Sequence, residues 1–133
     1  VVSSVYGSKV LVAMPQAAYD ASLSPMVFNT AELENLAWDL NVVSFQGGTA
    51  PSIAFVLERQ TANGDWSSIL SSGSIGAATN WGIDIGPGFA TFAAPLGLTQ
   101  HAVLTDVARL RWTLGGTVPP TTVTFANSIV GRH

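Results

Sequence analysis

The chain contains no cysteine. That excludes a disulfide scaffold, a thiolate zinc site and thiol redox chemistry, and it leaves the compartment open. Charge is also scarce: charged residues are 10% of the 133 residues, against about 25% in ordinary globular domains. Lys9 is the single lysine, and the net charge is −3. A basic footprint for nucleic acid is absent, so no nucleic-acid partner is expected. No run approaches the roughly 18 apolar residues of a membrane-spanning helix, so no membrane partner is expected. No charged segment followed by an apolar core stands at Val1, so no signal peptide is expected in this sequence.

What is present is apolar and small. Hydrophobic residues make up 47%, and the remainder is largely Ser, Thr, Gly, Asn and Gln. A solution monomer normally carries more charge, because charge-poor surfaces associate. The composition therefore favours a chain whose surface is covered by neighbours. The length suits one domain, which can bury about two-thirds of its unfolded surface without a disulfide or metal.

Gly-Gly-Thr-x-Pro occurs twice, as Gly47-Gly48-Thr49-Ala50-Pro51 and Gly115-Gly116-Thr117-Val118-Pro119. Each copy joins two strand-like runs, Leu36–Phe45 to Ser52–Arg59 and Ala108–Leu114 to Thr121–Val130. The runs alternate with period two, which places Leu36, Trp38, Leu40, Val42, Ile53, Phe55, Leu57, Leu110, Trp112, Leu114, Val123 and Phe125 inside. After Phe125 the alternation blurs, which predicts a bulge. Asn63-Gly64 predicts a type I′ hairpin turning into a strand over Trp66–Leu70. Short strands are expected near Ile83–Ile85 and Ala90–Ala93, with a turn at Gly86-Pro87-Gly88. Leu96–Val107 reads as loop or a short helix.

Residues 1–35 read as an N-terminal arm, and residues 36–133 as the domain. Lys9–Met14 is an apolar run able to add a strand to a sheet, on a neighbour or on its own domain. Pro15 is expected to end it, and Gln16–Ser22 is weakly helical. About seven or eight short antiparallel strands with long crossovers predict an all-β sandwich or jelly roll with Greek-key connections.

Reactive side chains do not assemble into a motif. His101 reads as a loop histidine, and His133 ends the chain. No nucleophile elbow, metal-ligand spacing or phosphate loop is present. Asp39, Glu58, Asp65 and Asp84 each read as solvated strand or turn residues rather than a hydrolytic pair. No enzyme activity and no cofactor are expected. Trp38 and Trp112 fall on the inward phase. Trp81, in a Gly/Ala/Asn setting, is either an exposed platform for a sugar or a plug at the end of the sandwich. Arg109 and Arg111 share the polar face of one strand and can pair with Glu58 or Asp39, or anchor an acidic neighbour.

The stretch WDLNVVSFQGGTAPSIAFVLERQTANGDWSSI, followed by ARLRWTLGGTVPPTTVTFANSIVGR over Ala108–Arg132, resembles small virion proteins of tailed bacteriophages. A G-T-x-P strand, an N-G-x-W hairpin and a late R-x-R-W segment recur there in that order, and the resemblance spans residues 36–132. It implies a β-sandwich that decorates and cements the capsid from its outer surface, made in the bacterial cytoplasm. The implied partners are the major capsid protein and further copies of the chain, as a homotrimer. A tail or receptor-contact accessory and a carbohydrate-binding module are the alternatives. The expected interface residues are Lys9, Val10, Leu11 and Val12 of the arm; Gly47, Gly48, Thr49, Pro51, Gly115, Gly116, Thr117 and Pro119 of the two loops; and Trp81, Arg109 and Arg111.

Overall fold

A computed structural model describes residues 8–87 and 98–132. These form nine strands: β1 (Ser8–Tyr19), β2 (Met26–Asn29), β3 (Asn35–Gln46), β4 (Ser52–Gln60), β5 (Trp66–Ile75), β6 (Thr79–Gly86), β7 (Leu98–His101), β8 (Val107–Gly115) and β9 (Thr122–Arg132). One sheet has the order β1-β9-β3-β6-β7 and the other β2-β8-β4-β5. Every pairing is antiparallel except β6 with β7, which is parallel. With β7 set aside, eight strands distribute four to a sheet, and both Gly-Gly-Thr connections cross between the sheets. This is the jelly-roll arrangement, in which strands distant in sequence become neighbours.

The alternation read from the sequence builds the core. Trp38, Val42, Ile53, Phe55, Leu57, Leu110, Val123 and Phe125 have no solvent exposure. Phe55 and Phe125 meet edge to face at 5.2 Å and tie the two sheets together. Each such side chain contributes about 1.5–3 kcal/mol by leaving water. Leu114, at the end of β8, is only partly buried. The expected bulge after Phe125 is absent from β9, whose inward positions continue through Asn127, Ile129 and Gly131. The irregularities lie instead in its neighbours, between Val10 and Val12 and between Met14 and Ala17 of β1, and between Val42 and Ser44 of β3.

The first 35 residues are not a separate arm from Ser8 onward. β1 pairs with β9 of the same chain, and β2 pairs with β8. Pro15 does not end the strand, and Gln16–Tyr19 is extended rather than helical. β1 lies at the edge of its sheet, and Pro15 sits in its bulge, where a missing N–H costs no ladder bond. The β1–β2 connection is fastened to β8. Trp112 Nε1 donates to the Asp20 carbonyl at 2.8 Å, and the Trp112 N–H donates to Ser24 Oγ at 2.9 Å.

The hairpin after β4 forms, but with a different turn. Gly64 N–H donates to the Thr61 carbonyl and Thr61 N–H to the Asp65 carbonyl. Gly64 has φ 87° while Asn63 is not left-handed. This is a type I turn closed by a left-handed glycine, because five residues separate Gln60 from Trp66 rather than the two of a type I′ hairpin. The return strand runs on to Ile75. The expected Ile83–Ile85 strand is the centre of the longer β6. Leu98–His101 is a strand rather than loop or helix, and it places His101 beside Gly86. The expected strand Ala90–Ala93, Gly88 of the turn, and His133 lie outside the described residues.

Candidate interaction surfaces

The two Gly-Gly-Thr loops meet at one end of the sandwich. Thr49 N–H donates to the Val118 carbonyl at 2.9 Å, and Val118 N–H donates to the Thr49 carbonyl at 3.1 Å. The glycines are required by this close approach. A Cβ on Gly48 would lie 2.5 Å from the Val118 carbonyl oxygen, and one on Gly116 would strike the Ala50 carbonyl. Both have left-handed φ, 81° and 116°. The repeated motif is thus a mutual clasp. Gly47, Gly48, Thr49, Gly116, Thr117 and Pro119 remain exposed, Gly115 and Pro51 are half-buried, and Pro120 is buried. Val118 is 51% exposed at the tip.

A second surface is the outer face of the four-stranded sheet. Arg109 and Arg111 project from β8 beside Glu58 of β4, and Glu58 is buried. Its Oε1 accepts from Arg109 Nε at 2.8 Å and from Arg111 Nε at 2.9 Å. Burial pushes the Glu58 carboxyl up, but the hydrogen bonds from Arg111 and Arg109 and their charges outweigh it. The net effect holds the group below the usual carboxylate range. The Arg109 guanidinium also lies 4.2 Å from the Trp66 ring centroid. Pairing with Glu58 is therefore the realised choice, since Asp39 belongs to the other sheet. The reading of Glu58 as a solvated carboxylate fails because two arginines cover it.

On the outer face of the five-stranded sheet, Asp39 of β3 and Asp84 of β6 are exposed. A shallow hollow of about 350 Å³ opens beside Asp39, lined by Ala13, Pro15, Asn41, Asn80 and Ser128 among others. The β1 bulge at Pro15 shapes its rim.

The remaining expected interface residues divide. Lys9 is exposed, Val10 is 64% exposed, Leu11 is half-buried and Val12 is 3% exposed. Trp81 is 7% exposed, opposite Leu40 in register and stacked edge-on to Trp38 at 4.9 Å. It is core, so neither contact with a partner nor a sugar platform is open to it. Trp66 is the one half-exposed tryptophan. Among the described residues no three His, Asp or Glu side chains cluster so as to hold a metal ion. Sequence reading missed Asn127, a buried amide whose Oδ1 accepts from Trp38 Nε1 at 2.6 Å. Its inward phase in β9 was the available signal.

No family model matches the chain, and no curated protein matches it. Among solved structures, the chain is similar to one described as "Structure of infectious bursal disease virus Gx strain", at 11% identity and a TM-score of 0.45. The match covers 95% of this chain and 33% of that one, so this chain spans a third of its length.

Proposed function

We propose that the chain is a structural protein of a virus particle. Within that class it is a capsid decoration protein of the tailed-bacteriophage type, which bridges neighbouring capsomers from the outer surface as a homotrimer. The observation that carries this reading is the strand order, β1-β9-β3-β6 against β2-β8-β4-β5. Eight strands so arranged form the jelly roll, an architecture shared by capsid and lectin domains. The charge-poor composition supports a surface covered by neighbours. The clasped loop end supports a rigid contact, because its backbone is fixed before binding and little ordering entropy is lost there.

The mechanism is thermodynamic. Attachment that buries about 1,600 Å² per contact is enough for stable binding. Many equivalent contacts then oppose expansion of the shell together. The surfaces that serve the reading are the exposed β1 edge at Lys9 and Val10, the loop tip at Thr49, Val118 and Pro119, and the Arg109–Arg111 face. A sugar-binding jelly roll is less well supported, because Trp38, Trp81 and Trp112 are buried and Trp66 lies against Arg109. The direct test is to add purified chain to particles depleted of it and to record the temperature of genome release. A cement protein raises that temperature in proportion to occupancy; particles that bind no chain, or bind it without any shift, contradict the proposal.

A further inference from the structure

We infer that the Arg109–Arg111 face of one copy docks on the Asp39–Asp84 face of a second copy. The two faces are opposite sides of the same sandwich, one on each sheet. Arg109 and Arg111 are two residues apart on β8, a separation of about 6.6 Å along a strand. Asp39 pairs with Gly82 on β6, so Asp84 is its diagonal neighbour, at about 7–8 Å. The backbone positions that carry the two arginines and those that carry the two aspartates are thus spaced alike to within about 1 Å.

The arginine pair is set in advance. Glu58 holds both groups by their Nε atoms, and Arg109 rests on Trp66. Arg111 keeps 41% of its side chain in solvent. Two arginines around one glutamate leave this trio with one net positive charge. The carboxylate pair is free to receive them: no described residue pairs with Asp39 or Asp84. The flanking outward positions carry no charge: Ala37, Gly82 and Ser128 are small, and Asn41 and Val130 stand beside them. Asp39 also borders the 350 Å³ hollow, so an incoming side chain finds room beside its carboxylate. The other charge on this face among β3, β6 and β9 is Arg132, at the end of β9.

The contact is heterologous: one face meets a different face. It makes a ring if the rotation closes and an open row if it does not. Exposed ion pairs are individually weak, so the contact is transient between free chains and firm where a shared surface already holds both copies. It deepens the proposed function and rests on it for its setting. The purified chain tests it alone, so failure here leaves the particle reading standing, and failure of the particle reading leaves this contact standing.

The absence of cysteine makes the test clean. Ala37→Cys labels the acidic face, opposite Asp84 in register, and Val56→Cys labels the basic face, opposite Arg111. Mixed in equal amounts with a short bis-maleimide, the two variants should yield about fivefold more mixed dimer than the two like dimers together, where random pairing gives about equal amounts. Adding Asp39→Asn and Asp84→Asn, or raising the salt to about 0.5 M, should return the yield to statistical. Circular dichroism of the Asn variants should be unchanged, since both positions are exposed. A statistical product ratio at low salt overturns the contact, as does an excess of mixed dimer that persists without the two carboxylates.

Discussion

Gly48 and Gly116 each fill the space beside the other's loop. A Cβ on Gly48 would press on Val118 and Pro120, and one on Gly116 on Ala50 and Pro51. Gly48→Ala and Gly116→Ala are each expected to destabilise the fold by about 2–4 kcal/mol, from left-handed φ and backbone collision together. Gly64→Ala serves as the reference: its φ is 87° with nothing near its Cβ, so about 1 kcal/mol is expected. Urea unfolding of the three variants checks the ranking. The double variant Gly48→Ala/Gly116→Ala should cost less than the sum, because either change alone opens the shared clasp.

Glu58 supplies a pH dependence with a definite sign. Its folded carboxyl titrates below the usual range. Its contribution is therefore complete above the unfolded value, near pH 4.5, and is lost as the pH falls through the lower folded value. Glu58→Gln should cost about 1–3 kcal/mol at pH 7, less than a fully buried pair because the arginines keep solvent contact. Between pH 5 and 3 the gap between variant and parent should narrow. Denaturation midpoints across that range are the readout; a constant gap contradicts the pairing.

Trp38 and Asn127 form a buried donor–acceptor pair between neighbouring strands. Asn127→Ala leaves the indole N–H without a partner and opens a small cavity, for an expected loss of about 2–4 kcal/mol. Trp38→Phe with Asn127→Leu removes both polar groups, and the coupling between the two changes should be favourable. Asn127 Nδ2 has no partner among the described residues, which adds to the recovery when the amide is replaced. A double-mutant cycle measures that coupling.

The N-terminal strand separates two views of the first residues. Val12 and Met14 are buried, and β1 closes one edge of its sheet. Removing residues 1–14 is therefore expected to destabilise the domain by about 3–6 kcal/mol, from the lost burial of two large side chains. Thermal unfolding of the truncated chain should show a lower and broader transition. A free arm would give an unchanged one.

The central strands were legible because local pattern and tertiary role agree there. Leu36, Trp38, Leu40 and Val42 alternate with polar or small neighbours, and the register with β9 preserves that phase. Elsewhere distance in sequence hid the cause. The two Gly-Gly-Thr copies read as independent hinges, since nothing local reveals that Thr49 binds Val118. Pro15 reads as a strand stop, and only an edge position with a bulge makes it compatible with a strand. Trp81 stands between Asn80 and Gly82, a loop-like setting, yet pairing with Leu40 turns it inward. Asn127 breaks the apolar pattern because its partner is an indole 89 positions away in the chain. The arginine pair was visible as a shared face; that Glu58 is its buried anchor required the register of β4 with β8.

The virion reading is tested most directly by sedimentation from the native source, with mass spectrometry of the fast fraction. The account predicts that the chain travels with a virus-sized particle in fixed proportion to the shell protein, at a copy number set by the shell's symmetry. Recovery of the chain only in the slow fraction, as a free monomer, would contradict it.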